Sequence, residues 1–160
     1  MFTKNAWENS KNLDTAAERS FQQTVMSSQQ STTILGIDPG YDRLGWAVGV
    51  LEAGKVRLLG YDSIRTRKGV SLAHRYTHII SELDNILSQY QPSEVAIESV
   101  FFSKNQTTAM QVSEVRGVII GCVLRHGCRY TEYNPNHIKL AVTGYGKADK
   151  QAVEKMMRLQ

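Results

Sequence analysis

The sequence predicts an α/β protein in which a mixed five-stranded sheet is flanked by helices. Five short segments have the length and spacing of β-strands, at residues 34–37, 44–50, 55–64, 94–99 and 129–133. Residues 71–90 and 106–126 instead follow helical patterns, with the clearest apolar stripe in the first segment. The resulting order, βββαβαβα, is typical of a sheet flanked by helices.

The composition indicates one domain with an anionic partner. A chain of 160 residues with 41% hydrophobic content can build one core. Its longest apolar run, residues 117–124, is far shorter than the roughly 20 residues that cross a bilayer, so no membrane contact is expected. The chain has 19 basic and 15 acidic residues, and the excess lies wholly within residues 32–160. This balance favours binding to an anion such as nucleic acid.

The first 32 residues differ in composition from the rest of the chain. They are rich in Gln, Ser, Thr and Asn and show no sustained apolar period, so we expect residues 1–32 to be a poorly ordered extension and residues 33–160 to form the folded domain. Cys122 and Cys128 lack a metal-binding spacing, which fits a reducing compartment. No targeting segment is visible, so a cytoplasmic location is expected.

The first three predicted strands follow one another in the sequence without a helix between them. The run at 34–37 ends in Asp38-Pro39-Gly40, a strand entering a turn. Residues 44–50 alternate bulky and small side chains, which predicts a strand with one nearly bare face against which another element packs closely. The Ala53-Gly54 pair then makes a hairpin into the third strand plausible.

The later elements have recognisable start and stop signals. Ser71 is a suitable N-cap for the first helix, and Pro92 closes that segment. In the second helix, Gly117 and Gly121 lie four residues apart and permit close helix packing. After the fifth strand, Pro135 begins one short helix and Asp149 caps another.

Two carboxylates stand at strand ends, where chemistry is expected. Asp38 closes the run ILGID and Glu98 closes the run VAIE. An acid that follows buried apolar residues is costly unless it is paired or bound to a cation, and strand ends of α/β sheets gather functional groups at one edge. Carboxylates on neighbouring strands could hold Mg²⁺, which prefers oxygen ligands. The alternative is that each acid only caps a turn or a helix.

Four blocks in order resemble the RuvC family of Holliday-junction resolvases. These blocks are ILGIDPGYDRLGWAV, AIESVFFSKN, SEVRGVII and KLAVTGYGKADKQAVEKMM, and they extend from Thr33 to the last residues of the chain. The resemblance implies a ribonuclease H-like fold and an endonuclease that resolves four-way DNA junctions by paired symmetrical nicks. It also implies a homodimer, and RuvA/RuvB-type branch-migration partners.

The resemblance assigns roles to individual residues. Asp38 and Glu98 correspond to the first two catalytic acids, which bind a divalent metal, Mg²⁺ with Mn²⁺ as the alternative, and hydrolyse a phosphodiester through an activated water. Phe101 is expected to stack on bases near the crossover. The expected contacts to the DNA backbone are Lys104, Asn105, Lys139, Lys147 and Lys150, for which solvated surface side chains are the alternative.

The match departs from the family pattern at the end of the sequence. RuvC-like enzymes carry a further pair of acids on a last helix, whereas this sequence ends at QAVEKMMRLQ. Asp149 and Glu154 do not match the missing positions. With half of the carboxylates, the chain is expected to be inactive or severely impaired, and the sheet to expose apolar surface that lowers stability.

Other functions stay open at this point. The first alternative is a junction-binding module of the same fold that no longer cuts. The second is a related nuclease that processes ribosomal RNA precursors, although the FFSKN and GYGKADK segments argue against it. His74 and His78 have a zinc-like spacing without a third ligand, so an exposed helix face is the better interpretation. Residues 36–45 resemble an ATPase phosphate loop, but the chain is too short for the two lobes that enclose ATP.

Overall fold

The computed structural model describes residues 31–99 and 106–159, except for the side chains of residues 106–108. It contains one mixed sheet with the order β3-β2-β1-β4-β5. β2 runs antiparallel to both of its neighbours, β1 and β3. β4 runs parallel to β1, and β5 runs parallel to β4. The strands are β1 Thr32–Asp38, β2 Arg43–Glu52, β3 Lys55–Arg65, β4 Glu94–Glu98 and β5 Arg129–Tyr133. The predicted five-stranded mixed sheet is therefore confirmed.

The described helices begin and end close to the predicted signals. They are α1 Leu72–Tyr90, α2 Gln106–Arg125, α3 Pro135–Thr143 and α4 Lys150–Met157. Ser71 caps α1, as its hydroxyl accepts the backbone N–H of His74 at 3.4 Å. Asp149 caps α4 in the same way, with a distance of 2.8 Å to the N–H of Ala152. Both caps were predictable because they depend on residues three positions apart.

The hairpin between β2 and β3 turns at Ala53 and Gly54. Both residues have positive φ, 48° and 76°, as a two-residue turn of this twist requires. β1 and β2 extend one or two residues beyond both predicted ends and β3 one residue beyond its predicted end, whereas β4 ends one residue earlier and β5 has the predicted bounds. Thr32, which was expected to lie in the extension, already belongs to β1. A register shift between Val48 and Gly49 accommodates a bulge in this ladder.

The hydrophobic core lies between one face of the sheet and helices α1 and α2. Every second residue of β1, β2 and β4 points into it, including Leu35, Ile37, Leu44, Val48, Val95 and Ile97. The helices contribute Ile79 and Leu83 of α1 and Val115 and Ile119 of α2 to this core, and all four side chains are fully buried. This packing fixes the register of the strands, because a slip by one residue would expose the apolar set.

The opposite face of the sheet is covered only in part. Its side chains are small, at Gly36, Gly45, Ala47 and Ala96, and they line two open clefts. The predicted close packing against the bare face of β2 is thus incomplete in the described part of the chain, where α3 and α4 only border these clefts. Apolar side chains on β3 remain exposed as a result, with Val56 70% and Leu58 56% accessible.

The helices described here do not qualify as membrane spans, because none of them combines sufficient length with sufficient apolarity.

Candidate functional site

Asp38 and Glu98 lie side by side at one edge of the sheet. β1 and β4 are parallel neighbours, and their register pairs Ile37 with Ile97. The next residue on each strand is a carboxylate, and both acids line the same cleft. The prediction that these two acids meet is therefore confirmed by the strand pairing.

The two carboxyl groups interact directly. The pKa of Glu98 is raised, first by burial of its half-buried carboxyl, then by the negative charge of Asp38 and by a hydrogen bond with it. The positive charge of Lys139 acts in the opposite direction. Two carboxylates held this close repel each other when both are ionised, and a divalent cation between them would remove that repulsion.

The turn after Asp38 is held tightly. A Cβ on Gly40 would lie 2.0 Å from the carbonyl oxygen of Arg43, so only glycine fits there. The hydroxyl of Thr66 donates to the carbonyl of Tyr41 at 2.9 Å, and the guanidinium of Arg75 donates to Asp42 at 2.8 Å. The Arg75 guanidinium also lies over the Tyr41 ring at 4.3 Å. These contacts anchor the backbone that follows the first acid.

The cleft in front of the acids has a volume of about 660 Å³. Its floor is the small-residue face of β1 and β4, and α3 supplies one wall with Ile138, Ala141 and Val142. Tyr133 at the end of β5 and His137 in the first turn of α3 complete the lining. The cleft is wide, open and mostly apolar apart from the two acids, so an extended substrate can reach them from solvent.

The predicted basic contacts fall into two groups. Lys139 on α3 is close enough to Glu98 to lower its pKa, which places this lysine at the acids. Lys147 borders a smaller cleft of about 410 Å³ with His137 and Tyr145. Lys150 is exposed at the first position of α4. The predicted roles of Phe101, Lys104 and Asn105 concern residues outside the described part of the chain.

The donor set fits one divalent cation. Mg²⁺ keeps several waters and is commonly bound through one or two carboxylates, which is what Asp38 and Glu98 provide. Within residues 31–99 and 106–159, no cluster of three or more His, Cys, Asp or Glu side chains could hold a metal ion. The described residues therefore fit a cation with two protein ligands, and they do not supply the larger carboxylate set of a two-metal centre.

Two residues near the acids were missed in the sequence. His137 lies in the first turn of α3, after the Asn134 cap, and lines the cleft. The spacing of Ile138, Ala141 and Val142 could have indicated this face. Arg75 lies on the buried side of α1, and no local sequence signal pairs it with Asp42, 33 residues earlier.

Comparison with known proteins identifies the family. The family model for crossover junction endodeoxyribonuclease RuvC matches residues 34–159. The RuvC of Heliobacterium modesticaldum is 40% identical over 126 residues, which cover 79% of this chain and 78% of the relative. The RuvC of Petrotoga mobilis is 42% identical over 126 residues, covering 79% of this chain and 77% of that protein.

Solved structures agree with the sequence matches. The structure of Thermus thermophilus RuvC superposes with a TM-score of 0.71 at 30% identity, covering 79% of this chain and 78% of that one. The same protein in complex with a Holliday junction substrate gives a TM-score of 0.74 at 30% identity, with the same coverage of both chains. The fold is therefore ribonuclease H-like, and the chain belongs to the RuvC family of divalent-metal-dependent crossover junction endodeoxyribonucleases.

Proposed function

We propose that this chain is an endonuclease that resolves four-way DNA junctions by paired symmetrical nicks. The observation that supports this most directly is the juxtaposition of Asp38 and Glu98 at the edge of the sheet in a chain of this family. The T. thermophilus relative is described in complex with a Holliday junction substrate. The net charge of +4 also suits a DNA partner.

The site residues have distinct parts in this reaction. A divalent cation, when bound, supplies Lewis-acid activation of water and of the phosphodiester. Asp38 and Glu98 are the residues that would hold that cation at the edge of the sheet. The rigid turn after Asp38 keeps its carboxylate in place, and Lys139 brings a positive charge toward the phosphate while it favours the ionised form of Glu98.

Several finer assignments belong to the same proposal. The cation is Mg²⁺, because the described ligands are carboxylates that suit a hard ion, and Mn²⁺ is the alternative. Lys147 and Lys150 contact DNA phosphates together with Lys104 and Asn105, and Phe101 stacks on bases at the crossover. The protein acts as a homodimer, since two-fold symmetry matches opposed strands of a junction. RuvA/RuvB-type partners and the cytoplasm are its expected setting. Of residues 1–32, all except Thr32, which belongs to β1, form an extension to the nuclease domain.

The test is incubation of the 160-residue polypeptide with a labelled synthetic four-way junction and Mg²⁺. Native gels with linear duplex as competitor measure selective binding, and denaturing gels measure nicks. Nicks at symmetrical positions that disappear in Asp38→Asn, while this variant still binds the junction, would support the proposed function and would contradict the expectation from the sequence that the site is impaired. Binding without selectivity for the junction would contradict the proposed function.

A junction-binding module that does not cut is the second candidate. It is supported by the fact that the described residues bring together two carboxylates and no third metal ligand. Selective binding with no nicks in either Mg²⁺ or Mn²⁺ would favour this candidate. The outcome separates the two functions, because cutting requires the metal site whereas binding requires only the basic surface.

A further inference from the structure

We propose that a basic pocket between β3 and α1 binds a backbone phosphate of the junction DNA, beside the acidic pair. The pocket has a volume of about 300 Å³, and its lining contains no acidic side chain. It is formed by Arg65, Thr66, Arg67, Val70, His74, Arg75 and His78. We call this set the β3–α1 pocket. The inference rests on the proposed function, because it assigns this pocket to the same DNA substrate.

The charge of the pocket is only partly compensated inside the protein. Arg75 is 6% exposed and forms an ion pair with Asp42 at 2.8 Å. Arg65 and Arg67 are exposed, and within residues 31–99 and 106–159 neither has an ion-pair partner. At least two arginine charges thus remain for an external anion, and arginine suits phosphate because its planar fork can donate two parallel hydrogen bonds.

Arg75 also has an unused donor. Its Nη1 donates to Asp42 at 2.8 Å and to Thr66 at 3.2 Å, whereas its buried Nε has no hydrogen-bond partner among the described residues. A buried unsatisfied N–H costs about 1–3 kcal/mol, so such groups call for a partner. This orphaned donor is independent of the surface charge and belongs to a side chain that lines the pocket.

The start of α1 favours an anion at the same place. An unsatisfied helix N-terminus carries partial positive charge, and acids are usually found there. The first turn of this 19-residue helix contains no acid, and His74 and Arg75 add further donors instead. Positive side chains at this end interact unfavourably with the partial positive charge of the helix N-terminus. A bound phosphate would interact favourably with both.

His74 can present a donor without being charged. The Ser71 hydroxyl accepts the backbone N–H of His74, and its own hydrogen can be donated to Nδ1 of the ring at 2.7 Å. This arrangement favours the tautomer with the proton on Nε2. In our proposal, the four-residue spacing of His74 and His78 places both side chains in the lining of an anion pocket. Glu82 lies 4.0 Å from His78 and is the partner of that histidine.

The β3–α1 pocket is linked to the acids by the turn that follows Asp38. Asp42 lies four residues after Asp38, so at most about 14 Å of backbone separates these two residues, and Arg75, which lines the pocket, contacts Asp42 directly. At about 3.4 Å of rise per nucleotide, the segment from Asp38 to Asp42 corresponds to about four nucleotides. A DNA strand whose phosphodiester lies at the acids can therefore place a flanking phosphate in the pocket.

The experiment compares two charge-matched double variants in an Asp38→Asn background, which binds without cutting. Arg65→Gln/Arg67→Gln removes the exposed charges of the pocket, and Lys55→Gln/Arg57→Gln removes two charges from the other end of the same strand. Junction affinity is measured between 50 and 200 mM salt, roughly the range in which phosphate contacts are resolved. Cooperative thermal unfolding verifies that all three proteins are folded.

We expect the pocket variant to bind about tenfold more weakly, with the slope of log affinity against log salt reduced by about one, the value for one lost phosphate contact. The control variant should keep a slope within about 0.3 of the background protein. Arg65→Lys/Arg67→Lys should retain most of the slope, because it keeps the charges. Equal losses in pocket and control variants, or an unchanged slope in both, would overturn the pocket while leaving the proposed function intact. Absence of selective junction binding in the background protein would overturn both.

Discussion

At the scale of single residues, the behaviour of the site depends on the coupling between Asp38 and Glu98. Burial and the neighbouring charge raise the pKa of Glu98, so the folded protein binds this proton more tightly than the unfolded chain. The contribution to stability is therefore fully present below the ordinary glutamate pKa. It is lost as the pH rises through the raised pKa of the folded state. A bound divalent cation competes with the same proton.

Glu98→Gln tests this coupling. Without metal at pH 7.5, we expect the variant to be more stable than the original chain, and the difference to shrink as the pH falls toward the ordinary glutamate range. Mg²⁺ at about 100 times its dissociation constant should stabilise the original chain by about 2.7 kcal/mol and the variant by much less. Denaturant unfolding at several pH values measures both effects. A variant that is equally stabilised by Mg²⁺ would place the cation elsewhere.

At the scale of secondary-structure elements, α2 carries an exposed stripe that no other described element covers. Gly117 and Gly121 are exposed, and a Cβ built on either would meet none of the described atoms within 4 Å. Met110 and Leu124 on the same helix are 67% and 58% exposed. Bare glycines and exposed apolar side chains on one helix suit close packing against a second helix, so we expect this face of α2 to form contacts in the proposed homodimer.

Leucine at these two glycines tests that role. Gly117→Leu/Gly121→Leu fits the isolated chain without a clash, but it would overpack a helix–helix interface at a cost of about 1–3 kcal/mol. We expect self-association, measured by sedimentation velocity, to weaken about tenfold or more. Ser81→Leu on the exposed side of α1 is the control and should leave association unchanged. Undiminished association of the double variant would remove α2 from the interface.

At the scale of the whole molecule, the helices that the structure describes cover one face of the sheet. Helices α1 and α2 bury the core face, whereas the other face borders two clefts of about 660 and 830 Å³. β3 forms an edge of this sheet, and its Leu58 and Tyr61 are 56% and 73% exposed. An edge strand with exposed apolar side chains is a site for aggregation or for coverage by another segment.

Lysine substitution on this edge should therefore improve solution behaviour. Leu58→Lys/Tyr61→Lys is expected to lower the fluorescence of an apolar dye and to raise the concentration at which light scattering begins. Its effect on the free energy of unfolding should stay below about 1 kcal/mol, because both side chains are mostly solvated. Tyr145→Lys, at another exposed position, is the control and should change neither property. Dye binding that persists in the double variant would show that this edge is not the exposed apolar surface.

The sequence by itself determined the elements, the sheet and the identity of the acidic pair. Strand runs, the Ser71 and Asp149 caps and the Ala53-Gly54 turn are local signals, since each depends on residues within a few positions of one another. Asp38 and Glu98 could be identified because strand-end acids are costly without a partner. The four sequence blocks that resemble the RuvC family include both acids and extend over most of the chain.

Only the tertiary structure decided which distant residues meet and which face stays open. The ion pair of Arg75 with Asp42 and the approach of Lys139 to Glu98 each join separate elements. The bare face of β2 was expected to be closely packed, and among residues 31–99 and 106–159 it only borders an open cleft. A local pattern reports the preferences of its own segment, whereas these outcomes depend on the register and packing of segments far apart in the chain.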